Sequence, residues 1–116
     1  RLIRRQRQMC IRDRSCRGFY SATEFDDEGE VFGRPDQVEL DVIIQDGTLI
    51  LCEIKSSMSK SDMYTFGRKV AFYEKRHGRK ANRKIVISPM VDEKARTVAD
   101  ELGIEVYSYA EDVVVR

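Results

Sequence analysis

The chain has 116 residues, with 21 lysines and arginines against 20 aspartates and glutamates, a formal charge of +1, and 41% hydrophobic residues. That length supports one domain with one modest core, and the balance of apolar and charged residues excludes a disordered or fibrous chain. No apolar run approaches the roughly 20 residues of a membrane-spanning helix, and the arginine-rich opening lacks the apolar stretch of a secretory signal.

The three cysteines, Cys10, Cys16 and Cys52, are unevenly spaced, and His77 is the single histidine. No pair has zinc-ligand spacing, so reduced thiols in a cytoplasmic protein are expected. The run from Arg4 to Arg14 resembles the in-frame translation of a sequencing-library adapter. Residues 1–14 are therefore read as an artefactual segment, and 15–116 as a single domain truncated at its N-terminus. The rival reading of the segment is a basic nucleic-acid-binding arm. It carries six arginines and one aspartate, +5 in all, so the rest of the chain carries −4. Any nucleic-acid surface on that remainder must be local.

Residues 17–34 read as one or two short strands with a turn at Asp27-Glu28-Gly29, and the acidic run 24–30 as a solvated turn. Gly33-Arg34-Pro35-Asp36 is a loop by its glycine and proline. Two strands are expected at Val38–Gln45 and Thr48–Lys55, joined around Asp46-Gly47. A helix over 60–77 follows from Met63, Phe66, Val70 and Tyr73 at three- and four-residue steps. Ser59 and Asp62 form a capping-box pattern and Gly78 is a stop. Tyr64, Phe66, Phe72 and Tyr73 read as core rather than base-stacking platforms. The last third reads as a strand at Lys84–Ser88, a helix from Pro89 to Leu102 and a strand at Ile104–Tyr107, a unit that makes a parallel crossover. The expected fold class is α/β, a mixed central sheet flanked by helices with a C-terminal strand–helix–strand.

The hairpin carries the chemistry. In its first strand Val38, Leu40, Val42 and Ile44 share one parity, and Glu39 and Asp41 the other. A two-residue loop would pair Asp41 with Cys52 and leave each acid among core residues. A three-residue loop, Asp46-Gly47-Thr48, would pair Asp41 with Glu53. One face is then wholly apolar, and the other collects Glu39, Asp41, Glu53 and Lys55. Patterning favours the second register, with the two carboxylates opposed at Cβ separations of roughly 4.5–5.5 Å. Ile43, Leu49 and Leu51 continue that polar face as apolar residues, so the acids sit at the rim of a covered surface and need a cation. Mg²⁺ suits one or two carboxylates with several waters. The bland reading is a pair of solvated acids with Lys55 as their salt-bridge partner.

An acid on one strand, Glu53-Ile54-Lys55 on the next, then Ser56-Ser57 and a helix resemble the PD-(D/E)XK nuclease superfamily. Small archaeal and bacterial members are the nearer likeness, over roughly residues 17–107. The resemblance implies a restriction-endonuclease-like fold and Mg²⁺-dependent (or Mn²⁺-dependent) cleavage of DNA. Asp41, Glu53 and the Ile54 carbonyl would be metal ligands, and Lys55 would position water and stabilise phosphate charge. The literal Pro-Asp pair is Pro35-Asp36, so Asp36 is an alternative ligand and Glu39 an accessory acid. The basic run Lys75–Lys84 reads either as a phosphate-tracking patch beside the site or as cations suited to a helix C-terminus. Lys60, Arg76, Arg79 and Lys80 are its nucleic-acid candidates, with Lys60 contributed from the other end of the helix. The alternative function is an inactive nucleic-acid-binding or scaffold domain with the same fold. A homodimer and a longer parent chain are both compatible with the sequence.

Overall fold

The computed structural model describes residues 17–113. The expectation for residues 1–14 therefore lies outside the described residues. The elements in chain order are β1 (Arg17–Asp26), β2 (Asp36–Gln45), β3 (Thr48–Ile54), α1 (Lys60–His77), β4 (Arg83–Ile87), α2 (Glu93–Leu102) and β5 (Glu105–Tyr107). A single-turn 3₁₀ helix spans Ala110–Asp112. The strands form one mixed sheet in sequence order, antiparallel from β1 to β3 and parallel from β3 to β5. This is the expected α/β class with its terminal strand–helix–strand.

Both described helices cover the same face. Leu40 and Val42 of β2, Leu49 and Leu51 of β3 and Val86 of β4 pack with Met63, Phe66, Val70 and Tyr73 of α1 and with Ala95, Val98 and Ala99 of α2. The opposite parity of the same strands supplies a second cluster of Ile50, Cys52, Ile85 and Ile87, against which Ile43 and Tyr107 pack. The central strand β3 is thus buried on both faces, as parallel and central strands usually are. Phe66, Phe72 and Tyr73 are core residues as expected, while Tyr64 is 40% exposed. At Gly67 a Cβ would lie 3.0 Å from Leu102 Cδ1, so the missing side chain lets α1 and α2 approach closely.

The caps of α1 form as the sequence implies. Ser59 Oγ accepts from the Asp62 N–H, the Asp62 carboxylate accepts from the Ser59 N–H, and Gly78 ends the helix. Four expectations are corrected. Residues 17–26 form one ten-residue strand, and Asp36 belongs to β2 rather than to the preceding loop. The helix expected from Pro89 begins at Glu93, because Asp92 is its N-cap, accepting from the Ala95 N–H at 2.8 Å. Residues before Asp92 are drawn into a bridge instead: the Met58 N–H donates to the Met90 carbonyl and Met58 pairs with Val91.

The fourth correction is the register. Gln45 pairs with Thr48, Ile43 with Ile50 and Asp41 with Cys52, so the loop has two residues and Asp41 does not face Glu53. Asp46 and Gly47 have φ of 51° and 81°, the positive pair that a tight hairpin turn with the right twist requires. Parity separates the two registers only where one face is polar. Both faces of β3 are covered, so an apolar residue at every position is satisfied in either register.

Candidate active site

The ladder between β2 and β3 ends at Asp41 and Cys52. Beyond that rung β2 stays with β1, pairing Glu39 with Thr23 and Asp36 with Asp26. β3 stays with β4, pairing Glu53 with Val86 and Ile54 with Ile87, and the Lys55 N–H donates to the Ile87 carbonyl at 3.1 Å. The sheet forks there. A cleft of about 300 Å³ opens in the fork, lined by Glu39 and Asp41 from one prong, Cys52, Glu53, Ile54 and Lys55 from the other, and Ser21 and Lys69 at its sides.

Alternation along the strands puts Asp41 on the face of Cys52, and Glu53 on the face that carries α1. In an unbroken sheet the two acids would be separated by the backbone layer. The fork removes that layer locally, so both line one cleft. Cys52 senses the arrangement: its thiol is pushed up to about 12, first by burial and then by the negative charges of Asp41 and Glu53. It remains a protonated, buried thiol, and the donors facing the cleft are carboxylate oxygens.

Each charged group has a defined partner. Asp41 Oδ1 accepts from Ser21 Oγ at 3.0 Å. Glu53 Oε1 lies 2.7 Å from Lys69 Nζ, and the two side chains are only 13% and 14% exposed. Lys55 Nζ is 3.3 Å from Asp62 Oδ1, with both side chains more open. The Ser59 backbone N–H, aided by the Ser59 hydroxyl and Lys55, holds the Asp62 carboxyl below its usual range against the opposing effect of burial. The capping box of α1 and the position of Lys55 are therefore linked through one carboxylate.

Among the described residues no group of three or more His, Cys, Asp or Glu is spaced to hold a metal ion. The donors that line the cleft, the Asp41 and Glu53 carboxylates beside protonated Cys52, would suit a hard divalent cation of the Mg²⁺ type, which takes one or two carboxylates and completes its shell with water. Soft metals that prefer thiolate fit it poorly.

The other sequence candidates fall elsewhere. Asp36 lies at the far end of β2, where Arg34 and the Gln37 N–H hold its carboxylate. It lies five positions from Asp41, roughly 17 Å along the strand. Lys60 is exposed at the first turn of α1, at the cleft end of the helix. Arg76 pairs with Glu24 at 3.5 Å and lies over the Phe72 ring, and the Arg79 guanidinium donates to the Gly47 carbonyl at the hairpin turn. Lys80 follows, exposed. The hairpin turn is six residues up β2 from Asp41, roughly 20 Å away. Arg79 is thus at the opposite end of the hairpin from the cleft, while Arg76 sits against β1 at Glu24, which pairs with Val38 of β2.

Lys69 and Ser21 were not singled out by sequence. Lys69 could have been found: it lies three residues after Phe66 and four before Tyr73, so it is a cation on the core-facing side of an amphipathic helix.

Residues 36–105 match the family model of the PD-(D/E)XK nuclease superfamily, and the chain belongs to that superfamily. Its fold is similar to that of EndoMS in apo form, with a TM-score of 0.55 at 14% identity over 91% of this chain and 45% of that one. It is also similar to a repair endonuclease from Pyrococcus abyssi, with a TM-score of 0.52 at 18% identity over 76% of this chain and 38% of that one. The chain spans less than half the length of these solved structures. No curated protein matches it.

Proposed function

We propose that the fork is a metal-dependent phosphodiester-cleaving site acting on DNA. The observation that carries this reading is the meeting of Asp41, Glu53 and Lys55 in one cleft where the sheet divides. Asp41 and Glu53 hold Mg²⁺ or Mn²⁺, and the Ile54 carbonyl adds a ligand. When bound, such an ion lowers the pKa of its water and offsets charge on the phosphate. Ser21 fixes the Asp41 carboxylate through its hydroxyl. Lys55, two residues beyond Glu53, orients the attacking water and faces the charge that develops on the phosphate oxygens. Glu39 at the exposed rim takes an accessory role, and Asp36 is too far along β2 to join the set.

Lys60, at the cleft end of α1, is the nearest candidate for a phosphate contact, and Arg76, Arg79 and Lys80 would meet a duplex farther along. Arg79, at the hairpin turn roughly 20 Å from Asp41, stands about six steps of 3.4 Å along one DNA strand. The free thiol Cys52 fits a reducing compartment such as the cytoplasm. Because the chain spans only part of its structural neighbours, a second copy or a longer chain completing the DNA surface belongs to this proposal.

A second reading has an observation in its favour. Both lysines of the cleft are already paired with carboxylates, which suits a domain that binds nucleic acid without cleaving it. One assay separates the two: single-stranded, double-stranded and branched DNA incubated with the chain in Mg²⁺, Mn²⁺ or a chelator. Cleavage that requires the metal and vanishes in Glu53→Gln supports the enzyme. Retention of DNA with no cleavage in either metal supports the binding domain.

A further inference from the structure

The Glu53–Lys69 pair is the best-formed ion pair of the cleft. Its separation is 2.7 Å, and neither side chain is more than 14% exposed. Lys69 comes from the middle of α1, not from the strands that carry the motif, and it lines the same cleft as Asp41 and Lys55. A carboxylate this sheltered, near a second one on Asp41, needs a compensating charge even before any ligand arrives.

We propose that Lys69 is a built-in counter-cation for Glu53, a positioning residue that neutralises and orients this carboxylate in the metal-free site and competes electrostatically with a divalent ion there. The inference rests on the reading of Glu53 as a metal ligand. Lys69 holds Oε1, which leaves Oε2 as the oxygen available to the cleft. It also sets the charge of the cleft: three acids, Glu39, Asp41 and Glu53, stand against two lysines, Lys55 and Lys69. The fork is therefore stable without metal, at the cost of weaker affinity for it. A divalent ion on Glu53 would lie within roughly 6 Å of the ammonium, where repulsion weakens binding about tenfold even in a water-like dielectric and more in a cleft as sheltered as this one.

The test is calorimetric titration of the full chain with Mn²⁺, run beside thermal melts with and without the ion. Lys69→Met is expected to melt lower than the parent in chelator, to bind Mn²⁺ at least about tenfold more tightly, and to gain more in melting temperature from Mn²⁺ than the parent does. Lys69→Arg, which keeps the charge, is expected to behave as the parent. Should Lys69→Met fail to fold, Lys69→Gln keeps a donor to Glu53 without the charge and must show the same tightening. In the background of Glu53→Gln, loss of Lys69 must give no tightening. If the parent binds Mn²⁺ and neither neutral variant binds it more tightly, the counter-cation role is overturned while the metal site stands. If the parent binds no Mn²⁺ at millimolar concentration, the metal site itself fails, and the inference with it.

Discussion

Lys55 follows the end of β3, two positions beyond Glu53, and both residues line one cleft. An ammonium there can meet water or phosphate oxygen without taking a place in the coordination shell. Lys55→Ala is therefore expected to lower DNA cleavage by roughly 10²–10³-fold while calorimetric Mn²⁺ binding and the fold remain. Cleavage at the parental rate would remove Lys55 from the mechanism. Three carboxylates other than Asp41 and Glu53 contribute stability that is sensitive to acid. Burial would raise the Asp26 carboxyl, but the backbone N–H groups of Val31, Glu30, Gly29 and Glu28 outweigh it and hold the group below its ordinary value of 3.8. Asp62 is lowered by the Ser59 N–H, and Glu105 chiefly by the Arg83 guanidinium, from ordinary values of 3.8 and 4.5. In each case the folded state binds the proton less readily than the unfolded state, so the stabilisation is fully present above pH 4.5 to 5. It is lost as pH falls through the lowered folded values. Denaturant melts from pH 6 to pH 3 are expected to show stability falling below about pH 4.5, and Asp26→Asn to flatten part of that fall. A parental curve unchanged between pH 6 and pH 3 would contradict the assignment.

The elements were legible where local chemistry decides them. Ser59, Asp62 and Gly78 mark α1 to within a residue because capping groups act within one turn. Ser59→Ala is expected to cost about 1 kcal/mol in chemical denaturation, a loss that should be absent if the cap were idle. The same loss should loosen Asp62, and with it the contact to Lys55. The hairpin register is not legible from parity, because side-chain parity discriminates only when one face of a strand meets water. In β3 Leu49, Ile50, Leu51 and Cys52 are all 1% exposed or less, so both faces are core and parity carries no information. The Asp-Gly pair was the better signal, since a two-residue loop with positive φ at both positions favours those residues. Gly47, at φ 81°, is expected to lose about 1–2 kcal/mol on replacement by alanine, measured by denaturant titration. A neutral result would mean that the turn relaxes to another loop type and that the register is not fixed there.

At the scale of the whole molecule the site depends on a feature that no local pattern encodes. β2 turns away with β1 while β3 continues with β4, and the cleft exists because the two pairs diverge after Asp41 and Cys52. The sequence names the acids and the lysine two residues on. It does not say that residues of opposite parity meet, nor that Lys69 reaches Glu53 from a helix, because both follow from tertiary packing. The central claim is that Asp41 and Glu53, on opposite faces by alternation, act as one cation site across the fork. The most direct test is calorimetric titration of the parent, Asp41→Asn and Glu53→Gln with Mn²⁺ under identical salt. The expected result is saturable binding by the parent and a large loss of affinity in each single variant. Binding by either variant with parental affinity would contradict the account, since it would mean that the two carboxylates do not share an ion.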